Sequence, residues 1–213
     1  MTENEIREAV RKVLSQEGLL GSVPVSIPIE ASARHVHLTV EAVEALFGKG
    51  VRLTKKRDLS QPGEFLSEQR VKLVTTKGEL VNVAVLGPER KAVQVELSLT
   101  DCRALGINAP VNLSGNLSGA GDVYIVSENC LMEAKGCVIV AQNHIHMTPA
   151  DADFFGVADG QSVRVAVESS RPLTFENVII RVNPNFNLAM HIDFDEANAC
   201  GLDKDIRGKL LLK

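Results

Sequence analysis

The sequence repeats itself at a distance of half its length. One stretch, SARHVHLTVEAVEALFG from Ser32, and another, AQNHIHMTPADADFFG from Ala141, each contain a His-x-His pair, a threonine, a short apolar segment and a closing glycine. The first histidines of the two pairs, His35 and His144, stand 109 positions apart in a chain of 213 residues. A repeat of this period predicts two similar units that arose by duplication and face each other.

Short segments with alternating apolar and polar residues fill most of the chain from residue 25 onward. Such alternation is typical of half-buried β-strands, which are predicted at 25–29, 51–54, 70–74, 80–86, 92–99, 122–126, 138–141, 162–167, 173–182 and 188–192. Closure removes unpaired strand edges, so two small closed barrels are favoured over one open sheet, and a single fused pair of barrels fits equally well. The expected fold is mainly β, with similar barrels at 23–116 and 117–213.

Four short helices are predicted between the strands, where they would cap the barrels. Each follows a residue that can cap a helix N-terminus, and each ends at a glycine. The capping residues are Thr39, Thr100, Thr148 and either Asp193 or Asp195.

Residues 1–20 predict a separate amphipathic helix at the N-terminus. Ile6, Val10, Val13 and Leu14 recur with helical spacing, and Gly18 provides a stop. Two interpretations stay open: the helix packs on the body of the protein, or it binds a partner and directs the protein to an assembly.

Composition and charge exclude several classes of protein. Hydrophobic residues make up 45% of the chain, enough for a globular core, and the net charge of −4 offers no basic surface for a nucleic acid. No apolar run approaches the roughly 18 residues that span a bilayer, and the N-terminus lacks the apolar core of a signal peptide, so we expect a cytoplasmic protein without membrane association. Without CxxC spacing, the four cysteines are expected to be free thiols: Cys102, Cys130, Cys137 and Cys200.

The histidines predict a metal site. Four of the five form the pairs His35–His37 and His144–His146. Because residues i and i+2 of a strand lie on one face, each pair directs two imidazoles into one space, and imidazole is a common ligand of zinc and other divalent ions. Each pair needs a third ligand. The candidates are His191, at the end of an alternating strand, and Glu96, an unusual carboxylate in an apolar strand.

Several longer stretches resemble one known family. SARHVHLT, DLSQPGEF, VLGPERKAVQVELSLTDCRALGINAPV, VAQNHIHMTPADA and NPNFNLAMHIDFDEANA occur in this order, and the similarity runs from about residue 23 to the C-terminus. They resemble the PduL-type phosphate propanoyltransferases, the phosphotransacylases of bacterial microcompartments. The resemblance implies two β-barrels, two Zn²⁺ ions per chain between them, and transfer of a short acyl group such as propanoyl between coenzyme A and inorganic phosphate.

The resemblance also implies partners and a location. Acyl-CoA and acyl phosphate are the implied substrates, and propanediol degradation inside a cytoplasmic microcompartment is the implied setting. The helix at 1–20 is similar in character to the segment by which family members bind shell or core proteins. Association into a homo-oligomer is left open.

Individual residues receive roles from the same resemblance. It assigns one zinc to His35, His37 and His191, and the other to Glu96, His144 and His146. It makes Arg90 the phosphate-binding catalytic arginine, and it places Gln61, Gln94, Ser114 and Arg181 along the substrate site. Glu64 receives no role, since family members often carry glutamine there.

Two other functions fit the same metal ligands. The metals could activate water in a two-zinc hydrolase, or they could be purely structural in a protein that is not an enzyme. Structural zinc is usually closed by four protein ligands, whereas only three per metal are named here. No GxSxG serine and no cysteine paired with a base is present, so direct attack by phosphate is favoured over a covalent acyl-enzyme.

Overall fold

The computed structural model describes residues 26–211. The strands in this part of the chain are β1 Ser26–Ser32, β2 His35–His37, β3 Lys55–Asp58, β4 Phe65–Val74, β5 Glu79–Gly87, β6 Gln94–Leu97, β7 Val111–Asn112, β8 Gly121–Val126, β9 Leu131–Ala141, β10 His144–Met147, β11 Ser162–Val167, β12 Leu173–Val182, β13 Ala189–Asp193 and β14 Arg207–Leu211. The helices are α1 Val40–Phe47, α2 Leu99–Leu105, α3 Pro149–Phe155 and α4 Phe194–Ala199. None of these helices is long and apolar enough to cross a membrane.

Six strands close the first barrel, in the order β4, β5, β2, β6, β9, β8, with β8 returning to pair with β4. Strand β3 extends the sheet beside β4, and β7 pairs with β9. Fully buried aliphatic side chains fill the interior, among them Val36, Leu73, Val95, Ile125 and Val138. The scarcity of aromatic residues in the sequence is reflected in this largely aliphatic core.

The second barrel repeats the first strand for strand. Its order is β11, β12, β10, β13, β1, β14, and β14 pairs with β11 to close it. The succession of parallel and antiparallel pairs around the ring is the same in both barrels. A separate core, including Ile27, Ile145, Val165, Ile180 and Met190, fills its interior. The mainly β fold with two similar barrels, predicted from the repeat, is confirmed.

The two barrels exchange a strand. β1 comes before the first barrel in the chain but closes the second, between β13 and β14. Strand β9 is the equivalent of β1 in the repeat. It comes directly before β10, the equivalent of β2, but it lies in the first barrel, between β6 and β8. The barrels therefore do not coincide with 23–116 and 117–213, because β1 belongs with the later strands, and β8 and β9 belong with the earlier ones. The exchange ties the two cores into one unit.

An irregularity at equivalent positions also marks the repeat. Asn82 in β5 and Asn177 in β12 have φ values of 57° and 56°, and each lies two residues before the partner of a His-x-His strand. The registers of β4 with β5 and of β11 with β12 shift at these places. Bulges bend a strand locally, which helps a short sheet to close into a barrel.

The structure corrects two local predictions. Ser98, not Thr100, caps α2, since its side chain accepts a hydrogen bond from the Asp101 amide. Residues 51–54 form no strand; Val51 and Leu53 instead pack against the first core, and β3 begins at Lys55. The helix predicted at 1–20 lies outside the described residues. All four cysteines are free, as expected.

Candidate active site

Both His-x-His pairs lie on short strands and face a common cavity. In β2 the rings of His35 and His37 are 4.9 Å apart between centroids, and in β10 the rings of His144 and His146 are 4.6 Å apart. The cavity has a volume of about 500 Å³ and is lined by strands of both barrels. The i, i+2 spacing thus brings each pair to one face, and the pairing of the barrels brings the two pairs to one space.

The first cluster consists of His35, His37 and Glu96. The antiparallel register of β2 and β6 places His35 opposite Glu96, and one donor atom from each of the three residues lies within 4.8 Å of the others. Gln94 donates a hydrogen bond of 2.7 Å to Glu96 Oε1, while Oε2 lies 3.5 Å from His35 Nε2. This is a group of metal-ligand type.

The second cluster consists of His144, His146 and His191. The register of β10 and β13 places His144 opposite His191, with ring centroids 5.3 Å apart, and His146 lies 4.8 Å from His191. The grouping therefore differs from the sets implied by the resemblance, because Glu96 lies with the first pair and His191 with the second. The reason is topological, since each third residue comes from the strand next to the pair in its own barrel.

Hydrogen bonds set the imidazole tautomers. Nδ1 of His35 donates to the Ala33 carbonyl, and Nδ1 of His144 donates to the Gln142 carbonyl, both at 2.8 Å. Each Nε2 is then left with a lone pair toward the cavity, the arrangement commonly found in metal-binding histidines. Both ring nitrogens of His146 are buried without a hydrogen-bond partner among the described residues. Such unpartnered buried nitrogens fit a metal ion.

Burial keeps four of the site histidines neutral. It lowers the pKa of His144 and of His191 to about 4, with a further lowering from the nearby Arg181, and it lowers the pKa of His37 and His146 as well. Burial alone would raise the pKa of Glu96, but His35, Ser114 and Arg90 outweigh it, and the pKa of the carboxyl is lowered. At neutral pH Glu96 is therefore a carboxylate, and the imidazoles of His37, His144, His146 and His191 are neutral, which are the protonation states that metal ligands require.

Arg90 projects from the loop between β5 and β6 into the same cavity. Its Nη1 donates to Ser114 Oγ at 3.3 Å. Gln94 also donates to that hydroxyl, at 2.9 Å, and accepts from the Gly115 amide at 2.8 Å. Gln94 was predicted along the site, but it lies behind Glu96 and Ser114, where it fixes both.

Gln61 and Arg181 line the cavity from opposite barrels. The amide of Gln61 donates to the Asn187 carbonyl at 3.1 Å and accepts from the Asn187 backbone at 3.2 Å, so it joins the β3–β4 loop to the second barrel. Arg181, on β12, has its guanidinium carbon 6.0 Å from the centre of the Phe186 ring. The structure thus brings the predicted site residues together.

Sequence reasoning missed three residues of this site. The ring of Phe186 stacks on His146 with centroids 4.0 Å apart, Glu64 contacts Arg90, and Glu30 lies 3.9 Å from His191 Nδ1. Phe186 lies in the β12–β13 loop, which is the counterpart in the repeat of the β5–β6 loop that carries Arg90. For Glu30 no sequence signal exists, because its partner comes from a distant strand, and Glu64 is marked only by the resemblance, which gives it no role.

Comparison with known proteins identifies the family of the chain. A family model described as phosphate propanoyltransferase matches residues 28–203. A phosphate propanoyltransferase of Leptotrichia buccalis is 49% identical over 211 residues, 99% of each chain. The protein of the same name from Clostridioides difficile is 46% identical over 99% of each chain, and that from Salmonella typhimurium is 47% identical over 95% of this chain and 94% of its own. The chain therefore belongs to the phosphate propanoyltransferase family and is an acyltransferase.

Proposed function

We propose that this protein transfers a short acyl group, propanoyl, between coenzyme A and inorganic phosphate. The observation that carries the proposal is the position of Arg90, whose side chain lines the cavity that both clusters face. A guanidinium matches the oxygens of phosphate with two parallel N–H donors. The names of the relatives support propanoyl as the acyl group.

Two zinc ions complete the proposed site. One would be held by the first cluster, His35, His37 and Glu96, and the other by the second cluster, His144, His146 and His191. Three protein ligands leave an open coordination position, as in catalytic zinc sites. When bound, zinc supplies a Lewis acid that draws electron density from a substrate oxygen.

The protein's own side chains would hold the reactants. Arg90 binds and orients phosphate, while Gln94 keeps Ser114 and Glu96 in place behind it. Arg181 adds a second positive charge to the cavity wall, where negative charge grows on the acyl oxygen during transfer. Holding both substrates in one enclosed space supplies much of the rate enhancement by proximity.

Direct attack by phosphate fits the state of the thiols. Burial, with acidic neighbours, raises the pKa of Cys102 to about 11 and that of Cys137 to about 12, and burial raises that of Cys200. Thiols in this state are poor nucleophiles, and no cysteine is among the described residues that line the cavity. A phosphate oxygen bonds to the acyl carbon as the carbon–sulfur bond breaks, and the proton lost by phosphate is balanced by the one gained by the coenzyme A sulfur.

The test is the phosphate dependence of thiol release. Purified protein with zinc is mixed with propanoyl-CoA, and free coenzyme A is followed with a thiol reagent. We expect release only when phosphate is added, with propanoyl phosphate as the second product. Release at the same rate without phosphate would instead support a two-zinc hydrolase, and no release under either condition would support purely structural zinc.

A targeting role is proposed separately for residues 1–20. The spacing of the apolar positions Ile6, Val10, Val13 and Leu14 predicts one helical stripe that a lone helix could not bury, and its proposed partner is a shell or core protein of a microcompartment. A reporter fused to residues 1–20 should enter microcompartments in a host that assembles them, and Val10→Asp should prevent entry. A reporter that stays diffuse would refute the targeting role.

A further inference from the structure

Both terminal nitrogens of the Arg90 guanidinium already have partners on the cavity wall. Nη1 donates to Ser114 Oγ at 3.3 Å, and Nη2 donates to Glu64 Oε1 at 3.0 Å. Glu64 and Arg90 both line the cavity. The carboxylate of Glu64 therefore occupies one of the two donors with which the arginine would grip phosphate in a bidentate manner.

Backbone interactions fix the positions of both residues. Glu64 lies directly before β4, in a turn where the Leu59 amide donates to the Glu64 carbonyl and the Glu64 amide donates to the Gln61 carbonyl. The Arg90 amide donates to the Leu38 carbonyl at 2.8 Å. At the start of β4, Phe65 pairs with Gly87, and its ring fills the space that a side chain there would need. The two loops are thus packed so that carboxylate and guanidinium meet.

The contact is strong enough to form but weak enough to be replaced. The side chains of Glu64 and Arg90 are 37% and 33% exposed, and ion pairs with this much access to water contribute little net stability. A phosphate dianion brings two oxygens and a higher charge to the same nitrogens. A monovalent anion would only exchange one single charge for another.

We propose that Glu64 is a built-in competitor for phosphate, and this rests on the proposed phosphate role of Arg90. In the ligand-free protein the carboxylate holds Nη2 of Arg90, and phosphate must displace it in order to bind. Glu64 thereby sets the phosphate affinity of the site and favours dianions over monovalent anions. Ser114 keeps its contact on Nη1, so that the arginine stays in place during the exchange.

The variant Glu64→Gln tests this role, because glutamine keeps the size of the side chain and removes its charge. We expect the KM for phosphate to fall by at least about threefold while the KM for propanoyl-CoA changes by less than about twofold. The dissociation constant of inorganic phosphate, measured by calorimetry on the zinc-loaded protein, should fall in parallel. Glu68→Gln is the matched control. Glu68 is exposed on β4 and does not line the cavity, so this substitution removes the same charge outside the site.

An unchanged or increased phosphate KM and dissociation constant in Glu64→Gln would overturn the proposal. Failure of the wider function is recognised separately: the wild-type protein would then show no phosphate-dependent release of coenzyme A. If the wild type is active and Arg90→Lys raises the phosphate KM while Glu64→Gln leaves it unchanged, only the competitor role fails. Should Glu64→Gln not fold, Glu64→Asp, which is one carbon too short for the contact, should lower the phosphate KM to a smaller extent.

Discussion

The two clusters occupy the same place in two equivalent barrels, yet they differ in chemistry. His35 and His37 on β2 correspond to His144 and His146 on β10, and each pair faces one residue of the next antiparallel strand. That residue is Glu96 in the first barrel and His191 in the second. The first cluster therefore contains a carboxylate, whereas the second consists of imidazoles alone.

The surroundings of the clusters differ in the same sense. The loop after β5 brings Arg90 to the first cluster, while the equivalent loop after β12 lays Phe186 on His146. Gln94, which supports Glu96, corresponds to Ala189 beside His146. The two barrels thus share one backbone arrangement. Differences at a few positions place charged residues around the first cluster and more apolar residues around the second.

The largest expected effect comes from removing one histidine of either pair. His35→Ala and His144→Ala should each lower kcat by at least about 100-fold and reduce bound zinc from about two ions per chain to about one, because each cluster would lose a ligand of its own metal. Elemental analysis and steady-state kinetics on the same preparations measure both quantities.

Each single-histidine variant should remain folded, since the two aliphatic cores do not include these side chains. Circular dichroism provides the control. Loss of both ions from one substitution would show that the clusters form a single interdependent site, and wholesale unfolding would favour structural zinc.

The second cluster should also make stability depend on pH in metal-free protein. The pKa of His144 and His191 is about 4 in the folded state and about 6.5 when exposed, so the unfolded chain binds more protons as the pH falls through this window. The free energy of unfolding should therefore decrease from pH 7 to pH 5 by about 2 kcal/mol for each of these histidines.

Urea denaturation with a chelator measures this decrease. His191→Asn should reduce the pH dependence by the share of His191, whereas a variant of an exposed group such as Glu68→Gln should leave it as in the wild type. A wild-type stability that is constant between pH 7 and pH 5 would contradict the neutral, buried state of these imidazoles.

A smaller effect should separate Arg90 from surface arginines. Arg90→Lys should lower kcat/KM for phosphate by about tenfold, roughly 1.4 kcal/mol, because an ammonium group cannot reproduce the planar pair of donors. The matched control is Arg52→Lys, since Arg52 is exposed and bonds to Glu44 away from the cavity. Steady-state kinetics with phosphate as the varied substrate measure this change. An effect only on the kinetics of propanoyl-CoA would show that Arg90 acts on that substrate and not on phosphate.

The smallest expected effect is that of deleting residues 1–20, which should change kcat by less than about twofold, since every residue named at the site, from Glu30 onward, lies outside the deleted segment. Deletion of residues 1–32 is the informative contrast. It removes β1, whose Ile27 is fully buried in the second core, and it should unfold the second barrel although the cut lies before the first. Activity and thermal denaturation of the two truncations test this, and a stable second barrel without β1 would contradict the strand exchange.

Local pattern explains which elements the sequence could predict. The alternation of apolar and polar residues predicted strands such as 162–167 and 173–182 with the correct bounds, because the side chains of a half-buried strand point alternately to the core and to solvent. It failed at 51–54, where Val51 and Leu53 reach the core from an irregular segment. The N-terminal caps Thr39 and Thr148 were also predicted correctly. At α2 both Ser98 and Thr100 can cap a helix, and the sequence pattern favoured the wrong one.

The sequence by itself determined the repeat, the mainly β architecture and the two imidazole pairs, since these depend on spacings of two residues or on similarity between segments. Only the tertiary structure decided which strands close which barrel and which third residue joins each pair. Those choices depend on pairing between strands far apart in the chain, as between β1 and β13 or β6 and β9, and no local spacing encodes them. The contact of Glu64 with Arg90 belongs to the same class, because two loops of different strands meet there only after the first barrel has closed.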